Sequence, residues 1–184
     1  MKRHLQIILF ASCLAGIILG NRAAIAGGVY QEPAEFVNEV FDNAPPKADV
    51  LWPSESLKKQ LADILDHKYQ GLRIRYWLQS SKSDRKTVWI LEEIGKEKPI
   101  TTGIVVNNGR IELVKVLVFR ESRGWEVRHD FFTEQFKQAG LNKDHRLDQS
   151  IDNISGATLS VRAVEKLARI ALLLDQQIQQ QAAQ

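Results

Sequence analysis

The stretch Ile100–Phe119, ITTGIVVNNGRIELVKVLVF, decides how the 184-residue chain folds. Its two halves are rich in β-branched residues and are joined by Asn107-Asn108-Gly109, a tight-turn signal because two-residue hairpin turns need positive φ. Two antiparallel strands, 100–107 and 111–119, follow. The second is nearly continuously apolar, which predicts a central place in a sheet. Upstream, Leu72, Ile74, Tyr76 and Leu78 alternate with Arg73, Arg75, Trp77 and Gln79, the period of a half-buried strand. Lys86–Ile94 reads as another strand, closed by Gly95-Lys96. Short polar turns between successive strands make the sheet mainly antiparallel.

Helices flank this sheet on both sides in sequence. Tyr30–Asn43 carries Phe36, Val37, Val40 and Phe41 at helical spacing, and Ala44-Pro45-Pro46 stops it. Ser54 is a good N-cap for a helix running to about Tyr69, with Leu57, Leu61, Ile64 and Leu65 on one face and Gly71 beyond it. Phe131–Gly140 reads as a short helix and Leu141–Gln149 as a charged loop. Leu159–Gln176 is amphipathic through Val161, Val164, Leu167, Ala168, Ala171 and Leu174, and the Gln-rich 177–184 reads as a fraying polar tail. The expected class is α+β, a mainly antiparallel sheet packed against helices in one domain.

The first residues have another character. Lys2 and Arg3 precede the apolar run Leu5–Leu19, and Ala24-Ile25-Ala26 offers small residues for a peptidase. Residues 1–26 therefore read as a secretory signal peptide, with an uncleaved anchor as the alternative. Its loss removes three of the 25 basic residues and leaves 22 against 22 acidic ones, so the net charge of +3 gives no support to nucleic-acid binding. Cys13, the single cysteine, leaves with it, excluding disulfides, thiol nucleophiles and Cys metal sites from the mature chain. His67, His129 and His145 lack metal-ligand spacing.

One stretch carries chemistry: Asp152-Asn153-Ile154-Ser155-Gly156-Ala157-Thr158-Leu159-Ser160, hydroxyl-bearing residues on a loop that opens into the last helix. Ser155 or Thr158 could merely cap that helix. Ser155 lacks the flanking glycines of a hydrolase nucleophile elbow, and no Gly-rich phosphate loop accompanies it.

Asp152-x-x-Ser155-Gly156-Ala157-Thr158-x-Ser160 resembles the flavinylation motif of the FMN-binding domain family, which includes subunits of the sodium-translocating NADH:quinone reductase and Rnf complexes. Gly95-Lys96, Pro99-Ile100-Thr101, Asn108-Gly109-Arg110-Ile111 and Glu121-Ser122-Arg123-Gly124-Trp125-Glu126-Val127 extend the resemblance over roughly residues 90–175. It implies an FMN-binding domain at 86–176, after an N-terminal part, 27–85, of helices and a first strand. It also implies FMN joined by an FMN transferase to Thr158 through a phosphoester. Asp152 would then be read by the transferase, and Gly156 and Ala157 would leave room for the ribityl chain. Glu121, Gly124 and Trp125 are candidates to line the isoalloxazine ring. The expected protein is an exported, periplasmic electron carrier whose partners are the transferase and a membrane-bound or periplasmic reductase or cytochrome. A flavin-free binding or assembly module, and a flavin subunit of a multi-chain reductase, stand as alternatives.

Overall fold

The computed structural model describes residues 28–81 and 83–182; the expected signal peptide lies outside them. Six antiparallel strands form one sheet in the order β1-β6-β5-β4-β3-β2, with β1 Gly28–Val29, β2 Asp49–Leu51, β3 Ile74–Ser80, β4 Arg85–Ile94, β5 Pro99–Asn107 and β6 Arg110–Phe119. The hairpin signal is realised: Asn108 and Gly109 have φ of 49° and 77° between β5 and β6. The α+β class holds, with helices α1 Pro33–Val40, α2 Glu55–Leu65, α3 Asp130–Thr133 and α4 Thr158–Ala182.

The sheet has two dissimilar faces. Its inner face buries Trp89, Ile100, Ile104 and Ile111 against α2, α4 and the segment around Phe132 and Phe136. On the outer face, α1 lays Phe36 and Val37 over Val88, Val105 and Leu117. Gly103 makes that contact possible, because a Cβ there would come within 2.5 Å of the Phe36 ring. Strand β6 is not central; it lies one place from the edge, beside the two-residue β1. Its nearly continuous apolar sequence reflects cover on both faces.

Several boundaries depart from expectation for local reasons. Ser54 caps α2 by accepting the Leu57 N–H at 3.2 Å, but the helix ends at Leu65 because Asp66 turns left-handed (φ 61°), well before Gly71. The Leu65 carbonyl accepts from Lys166 Nζ at 2.6 Å, which ties the end of α2 to α4. The expected 131–140 helix stops after α3 and one 3-10 turn, Glu134–Phe136. There the backbone joins the β6 edge instead, Gln138 N–H donating to Ile111 O at 2.8 Å and Ile111 N–H to Ala139 O at 2.9 Å. The expected tail of 177–184 is helical as far as Ala182, with Ile178 buried.

Asp175 anchors this long helix. It is fully buried, bonded to Arg85 Nη1 at 2.8 Å and to the Thr87 hydroxyl at 2.7 Å, while Trp89 Nε1 donates to Thr87 Oγ1 at 3.0 Å. Burial raises the Asp175 carboxyl above its ordinary range despite the opposing Thr87 and Arg85 contacts.

Candidate functional site

Antiparallel pairing brings the β4–β5 turn, the end of β6 and β1 to one end of the sheet, since Ile94 pairs with Pro99 and Ile100 and Gly28 both pair with Phe119. The start of α4 lies at this end. A cleft of about 580 Å³ opens between three segments: Lys96-Glu97 of the turn, Glu121-Ser122-Arg123 after β6, and Gly156–Ser160. A second cavity of about 540 Å³ shares Glu97, Glu121 and Ser122 with it and extends toward Gly28 and Val29. The two form a trough across the sheet end.

Glu121 builds the floor. Its side chain is only 6 % exposed, and Oε1 accepts the backbone N–H groups of Lys96, Glu97 and Lys98 at 2.5, 2.6 and 2.9 Å. Burial by itself pushes this carboxyl up, but the three backbone bonds and the Lys96 charge together hold it below the usual carboxylate range. Glu121 therefore stays ionised and fixes the turn that carries Lys96. Gly124 (φ 85°) lets the next loop pass against α4; a Cβ on it would collide with the Ser160 hydroxyl. Ser160 and Ala157 are buried in that joint.

Thr158 is the first residue of α4 and lines the cleft. Neither Ser155 nor Thr158 caps the helix. The Ala157 N–H bonds to Ile154 O at 2.9 Å, and the Thr158 hydroxyl accepts from Asn153 Nδ2 at 3.0 Å. Among the described residues, the N–H groups of Thr158, Leu159 and Ser160 have no side-chain acceptor and no acceptor in the preceding loop. They are the unpaired donors of a helix start, where an anion is favoured by hydrogen bonding and by the helix dipole. Arg123 makes no ion pair among the described residues, and Lys96 has only an exposed contact with Glu97 at 3.5 Å, which is worth little. Both cations line the same cleft.

The cleft thus gathers Glu121, Gly156, Ala157, Thr158 and Ser160 of the expected site, with Gly124 directly behind. Gly156 (φ 83°) has open space where a side chain would stand. Ser155 and Asp152 are exposed and do not line the cleft; Asp152 contributes its N–H to Gln135 Oε1 at 2.7 Å. Trp125 is half-buried elsewhere, edge-on to His129 at 5.3 Å, with Arg128 stacked 5.0 Å from its ring and 4.5 Å from Tyr30. Sequence reasoning assigned no role to Lys96, Ser122, Arg123 or Asn153. All four lay in quoted segments, and only the pairing of the strand ends shows that Lys96, Ser122 and Arg123 share a cleft with Thr158. No cluster of three metal-ligating side chains occurs among the described residues.

Residues 95–173 match the family model of the FMN-binding domain, less than half of the chain but including the turn, the loop and the start of α4. This part of the chain is similar to FMN-binding domains, which supports a flavin-binding protein. No curated protein and no solved structure gives a match. The residues present suit the cofactor. Free amides at the start of α4 and two cations line the cleft and would suit a phosphate, and about 580 Å³ lies in the range of small-molecule clefts, about 300–1,000 Å³.

Proposed function

We propose that this FMN-binding domain holds its flavin covalently, through a phosphoester on the Thr158 hydroxyl, and serves as an exported electron carrier. The observation that carries the reading is the position of Thr158: it lines the cleft where unpaired helix amides share the lining with Lys96 and Arg123. In the product, the threonine oxygen is bonded to phosphorus, water has been lost overall, and the phosphodiester keeps one negative charge. That charge falls on the amides of residues 158–160, with the helix dipole behind them. Arg123 and Lys96 are long enough to approach the same phosphate or the ribityl chain.

Bound there, FMN would supply one- and two-electron transfer. The chain's own residues do the positioning. Glu121 fixes the turn bearing Lys96, Gly124 and Ser160 lock the loop bearing Arg123 against α4, and open Gly156 admits both cofactor and transferase. Asn153 holds the Thr158 hydroxyl toward the loop before modification. Asp152 and Ser155 stand exposed beside the site, where a modifying enzyme reads them rather than the flavin. The signal-like residues 1–26 support export, and a tethered flavin would not be lost by dilution outside the cytoplasm. The partners are an FMN transferase and a membrane-bound or periplasmic reductase or cytochrome.

Co-expression with an FMN transferase should give a yellow protein whose colour survives denaturation. A purified reductase should reduce it stoichiometrically, without turnover of a small substrate. Colour lost completely on denaturation would refute the covalent reading, and catalytic turnover by the isolated chain would refute the carrier role.

A further inference from the structure

The outer face of the sheet is covered only in part. Helix α1 lies over Gly103 and the β5–β6 side, leaving a concavity of about 320 Å³ on the β3 side, lined by Pro33, Arg73, Arg75, Trp77 and Ile90. Strand alternation explains the lining: Ile74 and Tyr76 point to the core, so Arg73, Arg75 and Trp77 take the other face. Arg73 and Arg75 are exposed, and their side chains make no ion pair or hydrogen bond among the described residues. Leu51 pairs with Ile74, which places the next residue, Trp52, beside Arg73. Trp52 is 66 % exposed, and Leu72 (75 %) and Ile94 (56 %) project near the same strand ends.

Single exposed apolar side chains are ordinary; this grouping with two free guanidiniums is not. We infer that this face binds the surface of an anionic membrane, with a lipid phosphate between Arg73 and Arg75 and with Trp52 and Ile94 at headgroup depth. Guanidinium is the side-chain group best matched to phosphate. Tryptophan is the aromatic that settles at the bilayer–water boundary. The cations of this concavity are the two arginines, and Pro33 at the start of α1 offers no N–H to an anion. The rest of the chain points the same way: the 27 residues before Gly28, with the apolar run Leu5–Leu19, join the fold at the strand ends beside Ile94 and Pro99. The flavin cleft opens at that end too, so docking on this face would bring it near a membrane-bound redox partner. The inference deepens the proposed role at a membrane, but lipid binding itself needs no flavin.

The test is co-sedimentation of the full protein with phosphatidylcholine vesicles, with and without phosphatidylglycerol, at low and high salt. Because Leu5–Leu19 would hold an unprocessed chain on any bilayer, the preference for anionic over neutral vesicles is the quantity read. That preference should weaken with salt. It should fall roughly 30-fold in the double variant Arg73→Gln, Arg75→Gln, from about fivefold per basic residue near an anionic surface. Trp52→Ala with Ile94→Ser should also weaken binding to anionic vesicles, and Thr158→Ala should not, which separates this inference from the flavin reading. Absence of anionic preference, or preference unchanged in both double variants, would overturn it. So would retention only on immobilised poly-glutamate, lost with the same arginines, which would assign the face to an acidic protein.

Discussion

Replacing Glu121 by glutamine keeps its shape and removes its charge. In the native protein one carboxylate oxygen accepts three backbone N–H groups of the β4–β5 turn, at 2.5–2.9 Å, within a buried side chain. Hydrogen bonds to a charged acceptor contribute about 1.5–3 kcal/mol each and neutral ones about 1 kcal/mol. Because the three share one oxygen they do not add fully, so Glu121→Gln should cost about 1–2 kcal/mol. Glu121→Ala, which leaves all three donors to water, should cost about 3 kcal/mol. For a domain of this size each kcal/mol lowers Tm by about 2–4 °C. The loss should be local first: amide exchange at Lys96, Glu97 and Lys98 should accelerate in Glu121→Gln before the strands respond. The pH dependence has a definite sign. A carboxyl held below its unfolded value, about 4.3 for glutamate, stabilises the fold above that pH, and the contribution is lost as pH falls through the depressed folded value. The wild type should therefore lose more stability on acidification than Glu121→Gln. Equal acid sensitivity, with unchanged exchange at residues 96–98, would refute the assigned role.

Three further outcomes follow from close contacts. Gly103→Ala drives a methyl into the Phe36 ring and should cost about 1–3 kcal/mol by urea unfolding, part of it recovered when Phe36 is shortened to Leu. Asp175→Ala leaves Arg85 without its partner and should cost about 3–5 kcal/mol, whereas Asp175→Asn, which spares the buried charge while keeping the Thr87 contact, should cost less by the same measurement. Gly124→Ala combines a left-handed φ with a collision against Ser160, so it should lower both thermal stability and the yield of flavinylated protein, visible as the ratio of flavin to protein absorbance.

The sheet was legible because its period and its turn chemistry agree: alternation in 72–79, β-branched runs, and Asn-Gly at the β5–β6 turn, where positive φ is required. The amphipathic face of α4 was legible for the same reason, all six residues named for it being buried. What escaped were features set by partners distant in sequence. Strands β1 and β2, of two and three residues, are too short to show a period and exist through pairing with β6 and β3. Gln138 and Ala139 leave a helical pattern to satisfy Ile111. Residues 177–182 stay helical, with Ile178 buried and Asp175 held by Arg85 and Thr87 one turn before. At the site, the Thr158 motif was readable in one stretch. The trio of Glu121, Lys96 and Arg123 required the strand ends to be brought together.

The covalent link is tested most directly by intact mass, followed by peptide mapping, of the protein co-expressed with an FMN transferase. The account predicts a gain of one FMN less water, confined to the peptide containing Thr158 and absent in Thr158→Ala. An unchanged wild-type mass beside a flavinylated control protein, or a gain that survives Thr158→Ala, would contradict it.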